Sequence, residues 1–167
     1  DQLGRILEHI HDINERNADS LSVGIYIGNQ PWEMEDVSQK GLFEHGTTRP
    51  RFKLANCWCG SDGDAHSFEY HGTLQGYTLQ CEANDQHRFT DRELMLARQP
   101  LVFDRNPDIL LTTLESLEGF ALKPHYPLIN NIDTIVLDEV HLYTQLRGAH
   151  AANVLRNVAD ASSDPLL

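Results

Sequence analysis

The sequence predicts an α/β fold, a partial parallel sheet flanked by helices that also carries a small cysteine-containing β insertion. Three observations lead there. Apolar runs rich in β-branched residues alternate with segments of helical period, the pattern of a parallel sheet covered on both faces. One run, Ile132 to Leu137, stops abruptly at Asp138 and Glu139, and a strand tipped with acids places them at the ligand-binding edge of such a sheet. Between the runs, Cys57-Trp-Cys59-Gly60 and Cys81 fall in a turn-rich stretch of β character.

Taken in order, the chain opens on a helix, because Leu3, Ile6, Leu7, Ile10 and Ile13 recur at helical spacing. Leu21 to Gly28 alternates apolar and small residues as a strand does. Residues 29–50 hold Pro31, Gly41, Gly46 and Pro50 and read as an irregular loop. Residues 51–89 form the Cys and His insertion, expected as two small hairpins. Thr90 with Glu93 three residues on is a capping-box pattern, predicting a helix from Thr90 to about Arg98 that Pro100 stops. Val102 to Leu111 reads as a strand ending in Thr112 and Thr113, Leu114 to Phe120 as a short helix, and Pro124 to Pro127 as a rigid connection. Ile132 to Leu137 is the acid-tipped strand. A last helix is expected from Gly148 to Val158, with Val154, Leu155 and Val158 inward, before a linker-like Ser162-Ser-Asp-Pro165. The organisation is thus 1–50, then 51–89 as the insertion, then 90–167.

A chain of 167 residues with a hydrophobic fraction of 40% can bury one substantial core. No apolar stretch approaches a membrane span, and the start is neither a basic region nor an apolar signal, so a soluble cytoplasmic protein is expected. The net charge of −12 argues at first against a nucleic-acid partner. Yet lysine occurs only as Lys40, Lys53 and Lys123, against twenty-five Asp and Glu. Abundant carboxylate with scarce lysine is the composition of a protein adapted to high salt, which separates the acidity from function. A local track such as Arg5, Arg105 and Arg147 can still meet a phosphate backbone; the competing reading is an acidic face for a protein partner.

An odd number of cysteines argues against a disulfide framework. Cys57, Cys59, Cys81 and His87 offer the four N and S ligands that structural zinc prefers. His66 and His71 are alternative fourth ligands. The usual knuckle spacing is Cys-x-x-Cys, and here one residue is missing. Buried free thiols, or a decayed ribbon held by packing alone, are the other readings.

The acidic pair suits nucleotide hydrolysis. Asp138 would hold Mg²⁺, a hard ion that keeps much of its water and bridges phosphate oxygens, and Glu139 would activate the attacking water. The bland alternative is a strand followed by a solvated acidic loop. Asp138-Glu139-Val140-His141, Asp108-Ile-Leu-Leu-Thr112-Thr113 and the Gln2 and Arg5 pair together resemble motifs II, Ib and Ia in the RecA-like first motor domain of superfamily 2 DExH helicases. Gly148-Ala-His-Ala-Ala-Asn-Val-Leu-Arg156 further resembles the segment after motif II in DNA helicases similar to the large helicase-related, Hrq-type and DISARM phage-defence proteins.

The resemblance implies that Gln2, Arg5, Thr112 and Thr113 contact a nucleic-acid backbone, DNA being favoured. It implies also that His141 couples nucleotide state to that contact, and that a zinc-ribbon insertion between motifs Ia and Ib is not out of place. No Gly-x-x-x-x-Gly-Lys-Ser/Thr loop occurs in the sequence. The expectation is therefore part of an ATP-dependent DNA helicase, inactive by itself, whose remaining motor portion lies in the same polypeptide. Its rivals are a non-catalytic nucleic-acid-binding module and a protein-interaction domain on a degenerate motor fold.

Overall fold

A computed structural model describes residues 2–17, 20–28, 30–38, 41–45, 48–60, 64–73, 76–121 and 127–162. Helix α1, Gln2–Arg16, buries Gly4, Leu7 and Ile10 on one face, as the apolar spacing dictates. Strand β1, Val23–Tyr26, is the middle of a three-stranded sheet. Its neighbours are β7, Leu94–Met95, and β8, Ile109–Thr112, both parallel to it, with Val23 opposite Leu94 on one side and Ile109 on the other. The fold is α/β with a parallel sheet flanked by helices, as the alternation of patterns predicts.

Between β1 and β7 the chain leaves this sheet and builds another. Strands β2, Phe43–Glu44, β3, Arg51–Cys57, β4, His66–Thr73, β5, Gly76–Cys81, and β6, Arg88–Thr90, pair in sequence order as a five-stranded antiparallel meander. Residues in β5 alternate between buried and half-buried, so that Tyr77, Leu79 and Cys81 point into the core. The meander is topologically an insertion, yet it packs as an integral layer. Leu7 and Ile10 of α1, Val23 and Ile25 of β1, and Phe52, Phe68, Leu79 and Phe89 of the meander belong to one continuous core. Tyr77 fastens the two sheets together: its hydroxyl donates to Leu94 O at 2.5 Å and accepts from Leu96 N–H at 2.8 Å.

A second core lies under the helices. Helix α2, Leu114–Ala121, the short α3, Pro127–Asn130, and α4, Gln145–Ala161, bring together Val102, Leu117, Leu128, Ile129, Val154 and Val158.

Six expectations require correction, the first being the strand expected from Val102: Pro100–Asp104 is a π-helical turn, and β8 starts only at Ile109. The stretch from Thr90 to Arg98 is not a helix. Glu93 does reach back to Thr90, accepting from its N–H at 2.9 Å and its hydroxyl at 2.8 Å, but the bonds close a turn. Leu94, Met95, Leu96 and Ala97 are all buried, and a fully buried run suits an extended segment covered on both faces more readily than a helix with one apolar side. The acid-tipped strand is likewise absent: residues 132–137 form only an isolated bridge at Thr134. Ile132 and Ile135, three apart, pack against the helical core, which leaves Val136 86% exposed. The insertion is a five-stranded meander, not two hairpins, and it recruits β2 from the predicted loop. Residues 29–50 also hold a 3₁₀ turn, Met34–Asp36. The last helix begins three residues early, at Gln145, and reaches Ala161. Residues 122–126, with most of the predicted Pro124 to Pro127 connection, and the end of the Ser162 to Pro165 stretch lie outside the described residues.

Candidate functional site

The cysteines converge because the meander's register brings two strand ends together. Cys57 ends β3, and antiparallel pairing sets it opposite His66, the first residue of β4. The chain turns at once through Trp58, Cys59 and Gly60; a Cβ on Gly60 would stand 2.2 Å from Asp64 O, so this turn closes only with glycine. Cys81 ends β5, opposite Phe68 of β4, and its N–H donates to His87 O at 2.9 Å across the turn that leads into β6.

The result is a cluster of three thiols and two imidazoles. Cys59 Sγ lies 3.4 Å from Cys57 Sγ, 3.5 Å from Cys81 Sγ and 3.3 Å from His66 Nδ1. Cys57 Sγ lies 3.1 Å from His87 Nδ1. Two groups whose donor atoms all fall within 4.8 Å of one another share Cys59 as their hub, Cys57 with Cys59 and His87, and Cys59 with His66 and Cys81. Ligands of one tetrahedral ion with metal–sulfur bonds near 2.3 Å stand about 3.5 to 3.8 Å apart. Each group of three donors therefore fits a metal ion, and Cys59 belongs to both. His71, the other alternative ligand, is placed elsewhere, 3.1 Å from Arg49 Nη1.

The surroundings favour neutral donors while no cation is present. Burial pushes the Cys57 thiol well above its ordinary range, and burial likewise raises Cys59. Burial, with the neighbouring His11 second, lowers His87 and keeps its imidazole neutral. A metal reverses the thiol preference, since the thiolate is the ligand and binding releases its proton. Trp58 stacks on His87 at 4.6 Å between ring centroids, and His11 of α1 meets both rings at 5.3 Å. His11, Trp58 and Asn84, which touches His87 Nε2, are residues that sequence reasoning missed; only the helical phase of His11, four positions after buried Leu7, hinted at a contact.

A different feature, a cleft of about 640 Å³, runs along the open edge of β8. Gln2, Thr112, Thr113, Asp133 and Asp138 line it, and the Gln2 side-chain amide donates to the Asp138 carboxylate. The threonines act locally as well. Thr112 donates to Tyr26 O at 2.8 Å, tying the ends of β1 and β8, and Thr113 Oγ1 accepts from Ser116 N–H at 3.3 Å as a cap on α2. Arg5 is exposed on α1 and is not among the lining residues.

The acidic pair divides at this cleft. Asp138 faces Gln2, whereas Glu139 is outside the lining and pairs with His141, Nε2 to Oε2 at 3.3 Å, both side chains more than half exposed. Glu139 also holds φ at 50°, a left-handed conformation costly for a residue with a Cβ. Of the basic track, Arg105 is committed to Asp91 at 3.2 Å. Among the described residues no helix is long and apolar enough to cross a membrane. Compared with family models, curated proteins and solved structures, the chain finds no match.

Proposed function

We propose that the meander holds a single structural zinc ion and that this ion stabilises an α/β domain which handles nucleic acid. The observation that carries the zinc reading is the convergence on Cys59 of two other thiols and an imidazole at 3.3 to 3.5 Å. Three sulfurs with nitrogen suit a borderline-soft ion that accepts tetrahedral geometry, and they suit magnesium or calcium poorly. When bound, the ion cross-links the ends of β3 and β5, which no disulfide joins. Metal analysis of purified protein tests the reading: about one zinc per chain is expected, with loss in Cys59→Ser. Metal-free wild type prepared with zinc present ends it.

For the domain as a whole we propose the motif Ia to motif II portion of an ATP-dependent DNA helicase. Support comes from Gln2, Thr112, Thr113 and Asp138, residues of three separate segments that line one cleft. Among the described residues no group of three metal-binding side chains forms at this cleft, so the reading asks Asp138 to hold Mg²⁺ largely through water. In the intact protein Asp138 would hold that ion, Glu139 would take the proton of the attacking water, and His141 would link the pair to the nucleic-acid contact. The orientation of Glu139 toward His141 instead of the cleft favours the rival, a non-catalytic nucleic-acid-binding module. ATP turnover of the intact protein with and without single-stranded DNA separates them. Glu139→Gln is expected to cut DNA-stimulated turnover by about 10²-fold or more; equal turnover in the two proteins overturns the catalytic reading.

A further inference from the structure

A four-coordinate ion at this cluster leaves one imidazole over, since three thiols and two histidines are present. The hydrogen bonds around His87 decide which histidine is surplus. Asn84 Oδ1 accepts from the backbone N–H of Gln86 at 3.0 Å. A backbone N–H only donates, so this bond fixes the orientation of the Asn84 amide, and its Nδ2 then faces His87 Nε2 at 3.1 Å. An amide NH₂ only donates as well, so His87 Nε2 has to accept. A neutral imidazole that accepts at Nε2 carries its proton on Nδ1, the nitrogen 3.1 Å from Cys57 Sγ. A protonated nitrogen cannot ligate a metal, but it donates to a thiolate.

The opposite assignment conflicts with the same bonds. If His87 Nδ1 bound the ion, Nε2 would carry the proton and point at the Asn84 NH₂. Rotating that amide would relieve the conflict at His87 and recreate it at Gln86, donor against donor. His66 is free of this constraint, with its Nδ1 3.3 Å from Cys59 Sγ; each imidazole belongs to one of the two tight groups, so the tautomer and not proximity separates them. The backbone of His66 is fixed opposite Cys57 by the β3 to β4 ladder.

We propose that the ion is held by Cys57, Cys59, Cys81 and His66, and that His87 stands outside the coordination sphere as an N–H donor to the Cys57 sulfur. This ligand assignment rests on the zinc reading above. Three thiolates and one imidazole around a divalent ion leave a net charge of −1. Donors to the sulfurs spread that charge, and the turn after β5 supplies two, His87 Nδ1–H to Cys57 and Ala83 N–H to Cys81 at 3.4 Å. Trp58, stacked on the His87 ring, keeps the donor aimed. His87 is thus a positioning and charge-spreading residue, of the kind whose loss lowers metal affinity without removing a ligand.

Zinc titration of the whole chain, with Co²⁺ as a spectroscopic probe, tests the assignment. In His87→Ala, one ion per chain is expected to remain, with the Co²⁺ visible bands of a three-sulfur, one-nitrogen site unchanged and affinity about 10 to 100-fold weaker. In His66→Ala those bands are expected to change and affinity to fall further. The reverse pattern overturns the assignment while leaving the zinc reading intact, whereas wild type that binds neither ion overturns both. Imidazole nitrogen NMR of the zinc-loaded wild type needs no variant. It should show His66 protonated at Nε2 and His87 protonated at Nδ1, and the opposite tautomers overturn the proposal.

Discussion

Tyr77 and His87 show how single side chains hold this molecule together. Tyr77 is fully buried, and burial raises its phenol far above the ordinary range, so it acts at every physiological pH as a neutral donor and acceptor between Leu94 O and Leu96 N–H. Tyr77→Phe leaves both backbone groups buried without that partner, and a loss of about 1 to 3 kcal/mol is expected in denaturant unfolding; an unchanged midpoint would count against the bridge. His87 gives a pH signature. Its folded-state pKa is lowered, so below about pH 6.5 the unfolded chain takes up a proton that the folded chain refuses. Stability is complete above that value and declines as the pH falls toward the folded pKa. Urea melts in chelator from about pH 7.5 to about pH 5 should show a steeper decline for wild type than for His87→Gln; parallel curves refute the burial argument.

The elements differ in how legible they were. Helix α1, strand β1 and helix α2 follow from local apolar spacing, because each buries one face or runs through a core that its own residues define. Residues 90–98 and 132–137 misled for opposite reasons. In the first, a real Thr90 to Glu93 capping interaction sits at a turn, and burial on all sides makes Leu94–Met95 a strand. In the second, an apolar run lacks a ladder partner, and Ile132 and Ile135 are drawn to the helices. The cysteine cluster was legible in its three thiols, which carry their chemistry with them. The roles of the two imidazoles were not, since they depend on how one asparagine side chain is turned. Close packing on β1 gives a further test. A Cβ on Gly24 would stand 2.5 Å from Leu101 Cδ2 and 2.8 Å from the Pro107 ring. Gly24→Ala is expected to cost about 1 to 3 kcal/mol by overpacking, read as a lowered thermal midpoint; an equal or higher midpoint would show that the segments around Leu101 and Pro107 yield freely.

For the molecule as a whole, the insertion and the parallel sheet share one interior, and the zinc reading predicts a global effect. Chelation should accelerate amide exchange across β1 as well as shift Trp58 fluorescence, because α1, the meander and β1 contribute to one continuous core. A fluorescence change with β1 exchange untouched would mean that the meander loosens alone. The strand order carries one more consequence, for folding kinetics. Tyr26 and Thr112 meet across 86 positions of chain, while the paired residues Thr73 and Gly76 are near neighbours in sequence. Loop-closure entropy delays the distant pair and favours the near one, so the meander assembles first and, once formed, shortens the effective loop between β1 and β7. Refolding should then show an early tryptophan phase followed by a slower protection of β1 amides, with zinc accelerating the second by fixing the first. Equal rates of β1 protection in wild type and Cys59→Ser, both with zinc, would show that the meander plays no such part.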